Sequence, residues 1–149
     1  APAAICRKVA YANTQGTIDV FGDGKQTRSF LYIDECIEAT RRLMDSDFAG
    51  PVNIGSEEMV TIDQLVDTAA KVANKTIEKR HIDGPLGVRG RNSNNDLIRE
   101  KLGWDYSQTL EEGIRKTYNW IMGQIAKDAF PIDTDITGKK FVAYGNCNK

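Results

Sequence analysis

The run Gly22-Asp23-Gly24-Lys25-Gln26-Thr27-Arg28-Ser29-Phe30-Leu31-Tyr32-Ile33-Asp34 limits what this chain can fold into more than any other stretch. The preceding Thr17-Ile18-Asp19-Val20-Phe21 reads as a strand. Gly-Asp-Gly after it reads as a turn, because glycine reaches positive φ at no steric cost. Gln26, Thr27 and Arg28 are then polar, Phe30, Leu31 and Ile33 are apolar, and Asp34 stands where a helix N-cap belongs. A polar side chain on a short extended segment between two elements is held firmly, as a binding site requires. The Arg28 guanidinium is a planar fork of donors that suits a phosphate or carboxylate. An edge strand with Arg28 and Gln26 turned to water fits the same spacing, so the residues alone leave both readings open.

Helical and extended signals alternate along the rest of the chain. Residues 2–12 carry a rough apolar stripe (Ala3, Ile5-Cys6, Val9-Ala10), which predicts a helix before the strand at 17–21. Asp34 is read as capping a helix to about Asp45 with Ile37, Thr40, Leu43 and Met44 on its apolar face. Val52-Asn53-Ile54 predicts a short buried strand. Thr61-Ile62-Asp63-Gln64 and Thr109-Leu110-Glu111-Glu112 are capping boxes, opening helices to about Ala73 and about Lys127. An alternating strand over 77–82 leads to residues 83–93, where Gly84, Pro85, Gly87 and Gly90 predict a loop. A short helix over 95–102 ends at Gly103. Ile114, Tyr118, Ile121 and Ile125 give the last helix a clear core face, while Trp104 reads as a packing anchor, Trp120 as core or interface, and Cys36 as core. Asn53 and Ser56 read as satisfying backbone at a turn.

Several function classes are excluded by what is absent. A formal net charge of -1 gives no general pull toward nucleic acid or an anionic membrane. No apolar run approaches the roughly 20 residues a membrane helix needs. Cys6, Cys36 and Cys147 are widely spaced and odd in number, which argues against a disulfide framework or a zinc site and for a cytoplasmic thiol state. With His81 as the single histidine, His-based metal clusters and Ser-His-Asp machinery lack material. The N-terminus has neither a starting methionine nor a signal-peptide core, so it reads as the middle of something larger. There is no Gly-x-Gly-x-x-Gly, and no tyrosine is followed four positions later by lysine.

The ordered motifs carry a resemblance. Gly-Asp-Gly-x-Gln-x-Arg-x-Phe-x-Tyr-Ile-Asp, then Pro51-Val52-Asn53-Ile54-Gly55-Ser56, then Leu102-Gly103-Trp104 resemble the C-terminal half of the extended short-chain dehydrogenase/reductase enzymes. These are NAD-dependent epimerases and dehydratases of nucleotide-diphosphate sugars. Gly84-Pro85-Leu86-Gly87-Val88-Arg89-Gly90-Arg91-Asn92-Ser93 narrows the resemblance to the branch that epimerises GDP-mannose at C3 and C5. It runs from Ala1 to about Gln124, with a further match at Tyr144-Gly145.

The resemblance implies an α/β fold of short strands with about five helices. It implies a nucleotide-sugar-binding domain over 1–127 and a Rossmann domain that is missing; the tail over 128–149 is polar and poorly periodic, which predicts mobility except near Phe141 to Tyr144. In the parent enzyme NAD oxidises the sugar transiently at C4, neighbouring carbons lose and regain protons, and the hydride returns. The Tyr/Lys pair and the acid/base cysteine and lysine of that chemistry map upstream of Ala1, so the resemblance implies no catalytic group and no NAD bound by this chain alone. Gln26, Thr27 and Arg28 fall at substrate-contact positions. Arg91, with Arg89 as a neighbouring alternative, would join Arg28 on the diphosphate. Lys8 matches a lysine on the wall of the substrate pocket, and Cys147 a serine that contacts substrate; Asn94 stands where related sequences carry Asp. The implied partners are a nucleotide-diphosphate sugar and the missing Rossmann domain or a second copy of the chain. A non-catalytic interaction or dimerisation module that kept the scaffold is the alternative.

Overall fold

The computed structural model describes residues 1–84 and 87–127; the expected tail and Cys147 lie outside the described residues. Helix α1 (Pro2–Tyr11) starts with proline in its first turn, where a missing N–H costs nothing, and buries Ile5, Cys6 and Val9. Strand β1 (Gln15–Phe21) follows and pairs in parallel with β4 (Thr76–Ile82), in register from Gln15↔Thr76 to Phe21↔Ile82. Between them come β2 (Thr27–Ser29), α2 (Ile33–Met44), β3 (Met59–Thr61) and α3 (Ile62–Ala73). After β4 come β5 (Gly90–Arg91), α4 (Asp96–Leu102) and α5 (Leu110–Ala126). Both capping boxes form, with Thr61 and Thr109 each accepting from the backbone three residues on while Gln64 and Glu112 reach back. Asn74, at φ 53°, ends α3 in the left-handed conformation asparagine tolerates.

The larger core joins α1, β1, α3 and α5. Ile5, Val9, Ile18, Val20, Leu65, Val66, Ile114 and Tyr118 are buried together there, so three helices close over the β1–β4 pair. Lys75, just past α3, donates from Nζ to the carbonyls of Val9, Ala10 and Ala12 at 2.9, 2.9 and 2.7 Å. It thereby closes the C-terminus of α1, where a cation also meets the negative end of the helix dipole. A smaller core packs Ala39, Ile98 and Trp104 with Leu31, Val52, Ile54, Leu102 and Tyr106. The second sheet, ordered β3-β2-β5, lies between: β2 is antiparallel to β3 and parallel to β5.

Four expectations are corrected. The N-cap of α2 is Tyr32 and Asp34 sits inside the first turn. The buried residues of α2 are Glu35 and Ala39, while Ile37 and Met44 are 58% and 78% exposed. The physical reason is that Glu35 Oε1 accepts from the Ser107 and Gln108 amides and the Ser107 hydroxyl. With Oε1 so bonded the carboxylate is buried, its Oε2 without a partner among the described residues, and hydrophobic periodicity does not register amides arriving from far along the chain. Second, residues 52–54 form no strand; Val52 and Ile54 pack irregularly on the smaller core. Third, the 83–93 loop contains the two-residue strand β5, and β3 forms ahead of α3; both are too short for their own sequence signal. Fourth, Cys36 is only half-buried, whereas Trp104 is in the core as its sequence suggests; Trp120, read as core or interface, is 59% exposed on this chain.

Candidate functional site

The Gly-Asp-Gly turn delivers β2 as its spacing requires, with Gly22 and Gly24 at φ 74° and 68°. Asp23 Oδ1 accepts from the Lys25 amide at 3.0 Å, an Asx turn that fixes the exit direction. The Thr27 amide then donates to the Arg89 carbonyl at 3.0 Å, and β2 and β5 run side by side. On that short ladder Arg28 and Arg91, 63 positions apart in sequence, are opposed partners.

Both arginines line one open groove of about 260 Å³, with Ser29, Leu31, Ile54, Ser56, Asn92 and Ser93 around them. Arg28 donates from Nη1 to its neighbour Thr27 carbonyl at 2.6 Å and from Nη2 to the Val88 carbonyl. Arg91 is exposed, and its side chain makes no hydrogen bond or ion pair among the described residues. No carboxylate lines the groove among those residues. Two guanidinium groups, three serine hydroxyls and an asparagine amide on an apolar base from Leu31 and Ile54 suit an anion with several oxygens.

The other predicted site residues that the structure describes do not line this groove. Arg89 pairs with Asp23 at 2.8 Å, tying the 87–89 loop to the turn. That hydrogen bond, with the Lys25 amide second, holds the Asp23 carboxyl below the ordinary carboxylate range. Gln26 is buried, its carbonyl accepting from the Ile62 amide and its side-chain oxygen without a partner among the described residues. Lys8 donates to the Asp19 carbonyl at 2.6 Å and lies 5.5 Å from the Phe21 ring centre, on the α1–β1 side of the molecule. Burial lowers its pKa, while the Asp19 charge works the other way. His81, a β4 residue as expected, contacts Asp63 at 3.0 Å.

The residues that shape the groove wall were not singled out as such by sequence. Ser56 Oγ accepts from the Glu58 amide at 3.1 Å, the backbone role its position suggested. Glu57 accepts from the Asn95 amide at 2.9 Å and from Arg99 Nη2 at 2.6 Å, and Arg99 also reaches Asp105 at 2.8 Å. Glu58 accepts the first amide of α5, from Leu110, at 2.7 Å. The local signals are the Ser-x-Glu turn and the Arg99–Asp105 pair; the rest depends on partners about 40 or more positions away. Gly84 and Gly87 lie outside any helix or strand. Gly90 belongs to β5, and the next helix starts at Asp96.

The fold defines the class. It matches UDP-glucose 4-epimerase from Thermotoga maritima, solved with UDP-glucose, at a TM-score of 0.76 and 24% identity, covering 83% of this chain and 40% of that one. It also matches UDP-glucuronic acid 4-epimerase from Bacillus cereus, solved with UDP-glucuronic acid and NAD, at a TM-score of 0.71 and 24% identity, covering 85% and 40%. The arrangement is thus the fold that part of each of these epimerases adopts. Residues 2–117 match the family described as GDP-mannose 4,6 dehydratase, and the chain belongs to that family. GDP-mannose 3,5-epimerase from Arabidopsis thaliana is 51% identical over 128 residues, 86% of this chain. The chain spans 33% of that relative's length.

Proposed function

We propose that the groove between Arg28 and Arg91 seats the diphosphate of a nucleotide-diphosphate sugar of the GDP-mannose kind. The chain then acts as the substrate-binding portion of an NAD-dependent sugar-nucleotide epimerase, over residues 1–127 and in the cytoplasm, with residues 128–149 as a tail. The NAD fingerprint and the catalytic Tyr/Lys and Cys/Lys groups come from a Rossmann portion, so this chain alone binds sugar nucleotide without turning it over. The observation that carries this reading is the Arg28↔Arg91 pairing on one short ladder beside one groove. Similarity to GDP-mannose 3,5-epimerase supports the choice of base and sugar. Gln26, Thr27, Arg89, Lys8 and Cys147 are proposed in supporting roles around the substrate.

Calorimetric titration of the chain with GDP-mannose, GDP, UDP-glucose and dTDP-glucose tests this. GDP-mannose should bind, and Arg28→Ala or Arg91→Ala should each cost about 1.5–3 kcal/mol, on the order of 10- to 100-fold in Kd. Equal affinity in the variants, or no binding of any sugar nucleotide, overturns it. In the second case the remaining reading is an interaction or dimerisation module, which the exposed Ile33, Ile37 and Met44 along α2 favour.

A further inference from the structure

We propose that Asn95 is the positioning residue of this groove, the pin that fixes the spacing of its two walls. The proposal rests on reading the groove as a diphosphate seat. One wall is the 55–58 segment and the other is the 91–95 segment that leaves β5. β5 is only two residues long, and its ladder to β2 ends at the Arg28↔Arg91 pair. Beyond that rung the sheet no longer sets where the second wall stands, so something else must.

Asn95 is fully buried and spends its polar groups on that task. Its Nδ2 donates to the Gly55 carbonyl at 2.7 Å and its amide to Glu57 Oε1 at 2.9 Å, so it grips the opposite wall twice. Its Oδ1 accepts from Ser93 Oγ at 2.7 Å, holding its own wall, and its carbonyl accepts the Arg99 amide at 3.0 Å, joining both to α4. Gly55 and Ser93 both line the groove, and a Cβ on Gly55 would stand 2.6 Å from Ser93 Oγ, so the walls are in contact behind it. The second cross-link, Asn53 Nδ2 to the Asn94 carbonyl, is longer at 3.4 Å and exposed.

The placement also departs from what a helix start asks of an asparagine. Asn95 is the N-cap of α4, yet its side chain makes no cap hydrogen bond. The preceding Asn94 accepts the Asp96 amide instead, at 2.9 Å. An N-cap asparagine that forgoes its cap and crosses to another segment serves the tertiary arrangement rather than the helix. Asn95 touches no ligand; it acts through Arg91 and Ser93.

The test is a double-mutant cycle on the full chain, with GDP as the probe and calorimetry well below the unfolding temperature. Asn95→Ala should weaken GDP binding about 10-fold while the chain still melts cooperatively, because a purely structural role lowers the melting temperature and leaves the folded fraction's affinity unchanged. In an Arg91→Ala background the same change should cost less than about 3-fold, since the group being positioned is already gone. Asn95→Asp is the second variant: it keeps shape and the Ser93 contact, removes the donor to Gly55 and adds a charge beside Glu57, so it should lose as much as the alanine. Unaltered GDP affinity in Asn95→Asp, or equal losses in both backgrounds, overturns the positioning role while leaving the diphosphate seat standing. Failure of the unaltered chain to bind GDP overturns the seat, and the role of Asn95 with it.

Discussion

Gly24 shows how narrowly single residues are constrained near the groove. Its φ of 68° is open to glycine, and a Cβ there would stand 2.0 Å from Asp63 Oδ1. The Asp63 carboxylate can swing aside, at the expense of its contact with His81, but the backbone cannot change sign without undoing the Asp63 amide bond to the Gly24 carbonyl at 3.0 Å. Conformation therefore decides the outcome. Gly24→Ala should destabilise the chain by about 2 kcal/mol and lower the melting temperature by several degrees. An unchanged melting temperature would show that the turn does not need positive φ. This position was legible in the sequence, because a Gly-Asp-Gly after a strand has few conformations open to it. Asn95 was not legible, since nothing local separates an asparagine that caps its own helix from one that reaches 40 positions back to Gly55.

Among the elements, those that carry their own instructions formed as read. Both capping boxes, the Gly103 stop at φ 58° and the apolar face of α5 are local, and each is present. The failures are elements whose character is decided elsewhere: α2 turns a hydrogen-bonded Glu35 inward because of residues 107–108, and β3 and β5 exist through β2. The 55–58 wall is of the second kind, held to α4 by Arg99. Glu57 is kept below its ordinary value of 4.5, first by Arg99 and then by the Asn95 amide, and Asp105 below 3.8, first by Arg99. Carboxylates with lowered folded-state values bind fewer protons folded than unfolded, so their stabilisation is present above the unfolded values and is lost as pH falls through the folded ones. The melting temperature should therefore drop on acidification between about pH 5 and pH 2, and Arg99→Gln should flatten that drop. Parallel acid limbs in the two proteins would show that the wall is held by other means.

At the scale of the molecule, a helical layer covers β1–β4, a smaller core joins α2 and α4, and the groove opens on the smaller core, with which it shares Leu31 and Ile54. The pairing of Arg28 with Arg91 could be posed from sequence as two cations able to serve one anion; that they are opposed strand partners could not, because the ladder joining them has no signature of its own. The two tryptophans divide along the same lines. Trp104 lies 2% exposed in the smaller core, against Leu31 and Ile54, which also form the base of the groove, whereas Trp120 is largely solvated on α5. This chain is therefore fitted with a shielded fluorophore just beneath the site and a solvated one on α5. Iodide should extinguish the red-edge emission of Trp120 first, leaving a blue-edge signal from Trp104 that changes on filling the site with GDP; a single, uniformly quenched emission band would contradict this division.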